Sequence, residues 1–391
     1  MIFTKNHILS HVRYFFGDIM FSNKFEQHQS PLFANIKALG RILESPDHHV
    51  WCASPIWDNE GRVHVFFSRW SRRASHYAWV MSCEVAHAVA DRPEGPYTVL
   101  DVALKGRGGD AWDGWSIHNP TIHKVGDKYA LFYMGSNGSD FDLSCEELED
   151  LSRRDGAAFA PYFKRLVKSK RVGLAVSDSL NGPWKRVSVE TPLIDVGPED
   201  AWDDYCTTNP AFVRGLDGKM HLFYKSWRGA KKLKAYLSVV ESSGRPDSED
   251  NFAFNRQYGL TVADKLCGPY TKVGNGPIID LSYMGNNAQC EDAYLFTMNG
   301  EYHMVMRDMG YFHHDVGLHF RSPDGRQWGK PQVAFGPLQQ YLPEPIQGLD
   351  REGRLERPQI LMSRDGSRPA YLFGAAVGGR HGLSSAVVLK I

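Results

Sequence analysis

The sequence predicts an all-β fold: a five-bladed β-propeller with a short N-terminal arm and a helical insertion in blade two. Two interleaved repeats predict it. The first opens at Ala53-Ser54-Pro55-Ile56, His118-Asn119-Pro120-Thr121, Thr208-Asn209-Pro210-Ala211, Glu291-Asp292-Ala293-Tyr294 and Glu356-Arg357-Pro358-Gln359. Each copy leads through a turn into an aromatic-rich run, such as Val63–Phe67, Tyr129–Tyr133 or His221–Tyr224. The second repeat is an apolar run, a turn and an aromatic, as in Gly173–Asp178 followed by Gly182-Pro183-Trp184, and Gly259–Asp264 followed by Gly268-Pro269-Tyr270. Repeats at this period mean a solenoid or a propeller. Apolar β runs joined by Gly turns select the propeller, with the second repeat as the outer strand pair of each blade.

Residues 1–48 read as an N-terminal arm or cap and 49–391 as the propeller. Within the arm, Phe33–Gly40 reads as a short helix, and the arm is a candidate homodimer contact. Blades begin near residues 49, 115, 205, 288 and 354, and Ser385–Ile391 reads as the closing strand. Between about 138 and 170, the charged run Glu146–Arg154 and the segment Pro161–Lys170 read as amphipathic helices. This insertion follows the inner strands of blade two, so it is expected to overhang the axial mouth.

Bulk properties narrow the partners. Lys and Arg number 45 against 45 Asp and Glu, so no global field draws the chain to nucleic acid or to an anionic membrane. No apolar stretch is long enough to span a membrane. The first twenty residues lack the apolar core and small-residue cleavage site of a secretory signal, which gives an expectation of a cytoplasmic location. Six cysteines without a CxxC pair read as free thiols, with Cys206 and Cys290 packed near the hub.

In a propeller the start of each innermost strand and the end of the next share one face of the disc. This gathers the motif residues with Arg69, Trp70, Gly135, Ser136, Lys225, Trp227, Arg307 and Asp308 around one mouth. Glu291, Asp292, Asp308 and Glu356 supply carboxylates; Arg69, Arg307 and Arg357 supply cations that hold them; the Trp faces suit a sugar. Paired carboxylates across a pocket are what glycosidic cleavage needs, one protonated and one ionised. Glu291-Asp292 is the sharpest pair, and strand alternation directs only one of them into the axis. His118, Asn119 and Asn209 are read either as ligand contacts or as hub and strand-capping groups, and Glu356 with Arg357 either as site residues or as a structural ion pair. The echo Asp110–Trp115 and Asp200–Tyr205 adds Asp113 and Asp204 as further acids and Trp115 and Tyr205 as sugar platforms. No cofactor is expected. An axial metal on His118 and the acids remains open, without a specific ligand spacing.

At these motifs the chain resembles the five-bladed propeller glycoside hydrolases of family 43 and its relatives, families 32, 68, 117 and 130, over about residues 49–391. The resemblance implies axial carboxylates acting on furanosides, pentosides, fructosides or anhydro-sugars. It also exposes departures. Where family 43 carries its base Asp, second acid and acid Glu, this chain aligns Ser54, Asn119 and Thr208. Carboxylates stand on blades four and five instead. The expectation is therefore a migrated set, with Asp292 as base or nucleophile, Glu356 as general acid, and Glu291 and Asp308 as substitutes.

The resulting expectation is a glycoside hydrolase, exo-acting on a plant or algal oligosaccharide. Arg69, Lys225, Arg228, Arg307 and Arg357 suggest an acidic sugar. The alternatives are a non-catalytic carbohydrate-binding propeller and a glycoside phosphorylase whose phosphate pocket would use Arg69, Lys225 and Arg228.

Overall fold

The computed structural model describes residues 25–229, 255–285 and 288–391. Among the described residues, twenty strands form five four-stranded antiparallel sheets, each a blade. Blade one holds β2 (His48–Trp57), β3 (Val63–Ser71), β4 (Glu84–Ala90) and β5 (Thr98–Leu104); blade two holds β6 (Ser116–Val125), β7 (Lys128–Ser136), β8 (Arg171–Ser177) and β9 (Lys185–Arg186). Blade three holds β10 (Thr208–Arg214), β11 (Met220–Ser226), β12 (Gln257–Ala263) and β13 (Thr271–Lys272); blade four holds β14 (Gln289–Met298), β15 (Glu301–Met309), β16 (Gly317–Ser322) and β17 (Gln332–Val333). In blade five β18 (Glu356–Met362), β19 (Pro369–Gly378) and β20 (Leu383–Lys390) are followed by β1 (Lys37–Ile42) from the start of the chain.

That last pairing corrects two expectations. Phe33–Gly40 is not a helix: a 3₁₀ turn at Pro31–Phe33 leads into β1, which runs antiparallel to β20 from Lys37 opposite Lys390 to Ile42 opposite Ala386. The free edge of β20 offers unpaired backbone donors and acceptors, and satisfying them outweighs the weak local helix preference. The C-terminal run is accordingly the third strand of blade five, and residues 37–42 close the ring as its fourth. Of the arm 1–48, the candidate homodimer contact, residues 1–24 lie outside the described residues.

Apolar inner faces pack between blades. Val65, Phe67, Phe373 and Val388 fill the junction of blades one and five, and Phe132, Leu174, Phe212 and Leu222 that of blades two and three. Each large side chain so buried contributes about 1.5–3 kcal/mol.

The insertion lies between β7 and β8 and contains two helices, α2 (Cys145–Arg154) and α3 (Gly156–Ser169), following a short α1 (Trp79–Ser82). Ser144 and Glu147 form a capping box at the start of α2, and Asp155 caps α3 through the backbone N–H groups of Ala157 and Ala158. Leu148, Phe159, Leu166 and Val167 bury the apolar faces of both helices against blades one and three. No helix among the described residues is long and apolar enough to cross a membrane.

Candidate active site

All five innermost strands break their register at one equivalent place. The residue at the break has a left-handed backbone: Cys52, Asn119, Asn209, Asp292 and Arg357, with φ between 48° and 62°. Such β-bulges re-aim side chains, and Asn and Asp tolerate the conformation best. The five side chains meet on the axis as a ring. Cys52 Sγ lies 2.8 Å from Asn119 Oδ1, Asn119 Nδ2 donates to Asn209 Oδ1 at 2.8 Å, and Asn209 Nδ2 donates to Asp292 Oδ1. Arg357 reaches the same carboxylate with Nη1 at 3.3 Å and with its backbone N–H at 3.2 Å. Every member is buried.

The bulge makes two corrections. The blade-one position equivalent to Asn119 is Cys52, not Ser54; Ser54 Oγ instead donates to Gln359 and accepts from the Ile122 backbone. Glu291 and Asp292 do not point to opposite faces: both line the axial cavity, because the left-handed turn at Asp292 interrupts the alternation.

That cavity holds about 350 Å³ at the mouth of the axis. Its floor is Asn119, Asn209, Asp292 and Arg357; one wall carries Glu291, Glu356, Lys225, Arg307 and Arg351; the other carries Trp51, His118, Trp79, Trp227 and Lys170. Phe163 and Val167 of α3 lean over it, and Tyr77 and Asp350 meet at its edge, Tyr77 Oη donating to Asp350 Oδ2 at 2.6 Å.

Strand pairing explains the wall. Glu291 faces Arg307 and Thr208 faces Lys225 across the first two strands of their blades. In blade one the residue in that register is Ser68, opposite Trp51. Arg69 is one residue further, so its side chain turns to the other sheet face and pairs with Glu84 at 2.8 Å, away from the cavity. The same alternation removes Asp308, whose carboxylate accepts four backbone N–H groups from Gly310 to His313. Trp70 is buried behind the cavity, 5.8 Å from the His118 ring, and Trp115 packs on Phe141 beneath the insertion. The echo acids are structural: Asp113 is fully buried on Arg107, Arg186 and Tyr133, its counterpart is Asp203 on Tyr224 and Lys272, and Asp204 accepts from backbone Gly229. Tyr205 stacks on Trp227 at 5.5 Å. Arg228 does not line the cavity.

Each carboxylate has a distinct electrostatic setting. Burial works against charge on Glu291, but Lys225, Arg256 and Arg307 outweigh it and hold its carboxyl well below the usual range. Burial likewise opposes ionisation of Glu356, yet Arg307 and Arg351 prevail and keep it below the usual range. Asp292 goes the other way: burial, then the charge of Glu291, push it up against the pull of Arg357. The expected base, Asp292, is thus shifted up and the expected acid, Glu356, down. Glu291 is the most open of the three, its side chain 16% exposed against 4% for Asp292 and 2% for Glu356.

His118 is stacked on Trp79 at 4.8 Å, with Cys83 Sγ 3.1 Å from Nδ1; burial keeps it neutral. Among the described residues, no three His, Cys, Asp or Glu side chains are grouped to hold a metal. The described cysteines are all free, Cys206 and Cys290 buried as expected near the hub. Sequence reasoning missed Trp51 on β2, Trp79 on α1, and His76, Tyr77, Lys170 and Arg351 from connecting segments, all of which line the cavity. Only Trp51 had a usable signal, its place one residue before the bulge.

No family model and no curated protein matches the chain. Solved structures do. A family 117 glycoside hydrolase from the marine bacterium Zobellia galactanivorans superposes with a TM-score of 0.61 at 15% identity, over 92% of this chain and 90% of that one. Fructan 1-exohydrolase IIa from Cichorium intybus gives 0.55 at 14% identity, over 89% of this chain and 56% of that one. An endo-arabinase from Bacteroides thetaiotaomicron gives 0.52 at 10% identity, over 90% and 97%. At such identities the likeness is one of fold, and the chain is thereby a five-bladed β-propeller of the kind that these glycoside hydrolases share.

Proposed function

We propose that the protein is a glycoside hydrolase that removes a terminal residue from an oligosaccharide. The observation that carries this reading is the axial cavity, in which three carboxylates, Asp292 and Glu356 buried and Glu291 half-buried, with proton affinities shifted in opposite directions, face aromatic walls. Glu291, ionised and the most exposed, serves as the base that activates water or stabilises developing positive charge at the sugar ring. Asp292 holds the proton delivered to the leaving oxygen. Glu356 fixes Arg307 and Arg351 around them. The overhang of α3 and the Tyr77–Asp350 contact narrow the mouth, which suits exo action on a chain end. A fold shared with hydrolases raises the expectation by analogy only.

The test is sugar release from a panel of neutral and acidic plant and algal oligosaccharides, with Glu291→Gln beside the wild type. Release lost in the variant while binding persists supports the reading. A second reading, a carbohydrate-binding propeller, draws on the complete pairing of the three carboxylates with cations. It predicts sugar binding with no release from any substrate.

A further inference from the structure

The cavity contains more cations than its own carboxylates consume. Lys225 is held by Glu291, Arg307 by Glu291 and Glu356, Arg351 by Glu356 and Arg357 by Asp292. The cations first expected to read an acidic sugar are thus engaged within the protein or lie elsewhere, as Arg69 does. Lys170 is different. It is 3% exposed, lines the cavity, and its ammonium faces two aromatic rings, 5.1 Å from the centre of Trp227 and 5.5 Å from that of Trp79. No carboxylate of the described residues lies within ion-pair distance of it. Its position is fixed from below, where its carbonyl accepts the backbone N–H of Thr207 beside the inner strand of blade three.

A buried ammonium without a counter-ion is costly, and the cost falls when an anion arrives. Ring faces offset part of it without supplying a negative charge. Burial, with the neighbouring charges of Lys225 and Arg256, also lowers the lysine to about 8 against the pull of Glu291. The two indole rings beside it form the hydrophobic flanks on which a pyranose or furanose ring can rest.

We infer that Lys170, between Trp79 and Trp227, is a subsite for an oxyanion carried by the terminal sugar, a carboxylate or a sulfate. This rests on the glycosidase reading for the identity of the ligand, though not on turnover. Lys170 contacts the charged substituent and sets specificity; the bond-breaking groups remain the carboxylates opposite.

Calorimetric titration tests it without catalysis. The wild type is titrated with three uronates, their neutral parent sugars galactose, glucose and mannose, galactose 6-sulfate and inorganic phosphate, and the series is repeated with Lys170→Met and Lys170→Arg. The expected result is at least about tenfold tighter binding of one anionic sugar over its parent, lost in Lys170→Met and partly kept in Lys170→Arg. Should Lys170→Met fail to fold, the Arg variant and the wild-type preference decide. Uronate against sulfate distinguishes the two sources of the anion. Equal binding of every pair, a preference that survives Lys170→Met, or Lys170-dependent binding of phosphate alone each overturns the subsite. Lys170-dependent preference without sugar release keeps the subsite and removes the hydrolase; release of neutral sugars without preference does the reverse.

Discussion

Arg307 stands between Glu291 and Glu356, its Nη1 3.2 Å from an oxygen of the first and 3.6 Å from an oxygen of the second. One guanidinium on β15 thereby joins the inner strands of blades four and five and lets two carboxylates ionise in one cavity. Removing it leaves like charges facing each other in a buried site. Lys225 and Arg351 still hold the two carboxylates, so Arg307→Met should lower unfolding free energy by about 1–3 kcal/mol, the cost of the lost charged contacts. Both glutamates should then titrate higher and sugar release should fail. Denaturant melts of the variant and of Arg307→Lys measure this. An unchanged midpoint in Arg307→Met would mean that water already screens the pair.

Asp292 and Glu291 are neighbours with different duties, and their amides should separate them. Asp292 accepts from Asn209 and Arg357 within the axial ring, so Asp292→Asn, which turns one acceptor oxygen into an NH2 facing these donors, weakens the ring. It should be destabilised by roughly 1–3 kcal/mol in addition to losing release. Glu291→Gln retains the shape of a side chain that faces the cavity and an amide oxygen to accept from Lys225, so its loss should fall mainly on turnover. Thermal melts run beside release assays decide: equal destabilisation in both variants would place Glu291 in the scaffold as well.

The blades were legible in the sequence because the repeats follow from backbone requirements: a bulge before each inner run and a Gly-containing turn before each outer strand. Ring closure was not. Lys37–Ile42 has no repeat partner nearby, and its strand identity comes from the edge of β20 more than three hundred residues away. At the site, the floor residues Asn119, Asn209, Asp292 and Arg357, and His118 of the wall, were found from their motif positions. Arg69 and Asp308 were misplaced because counting from the motif did not fix the register at the end of the second strand, where one residue reverses the face. Lys170, His76 and Tyr77 were invisible, since they come from segments whose approach to the axis depends on packing between blades.

Stability should be acid-sensitive. Burial lowers His49 and His87 to about 4 and His76, His123 and His319 to about 3. Their unfolded value is near 6.5, so between those limits the unfolded chain binds more protons. Stability is therefore complete above about pH 6.5 and falls as pH drops toward 4. A displacement of two to three pH units corresponds to about 3 kcal/mol per histidine at the acid end. The ionised Glu291 and Glu356 act in the same direction at lower pH, because their depressed affinity also favours the folded state above the usual carboxylate range. Unfolding midpoints from pH 8 to pH 4 should be level to about 6.5 and then decline. Replacing His123 with Phe should reduce the slope; a slope unaffected by this change would assign the acid sensitivity to the carboxylates.

The mouth gives the last prediction. Tyr77 from blade one and Asp350 from the segment before β18 close one side with a 2.6 Å hydrogen bond, and Phe163 of α3 packs edge-on against the Tyr77 ring at 5.9 Å. Tyr77 is 41% exposed, so the contact contributes little to folding, on the order of 1 kcal/mol or less. It does define how wide a chain can enter. Tyr77→Ala should leave the melting temperature nearly unchanged, and Tyr77→Ala with Phe163→Ala should raise activity on long oligosaccharides relative to disaccharides. Product lengths read by chromatography check the change, since a wider mouth admits internal linkages and releases fragments longer than one residue. If single residues are still the sole product of the double variant, the depth of the cavity imposes the exo pattern and the rim does not.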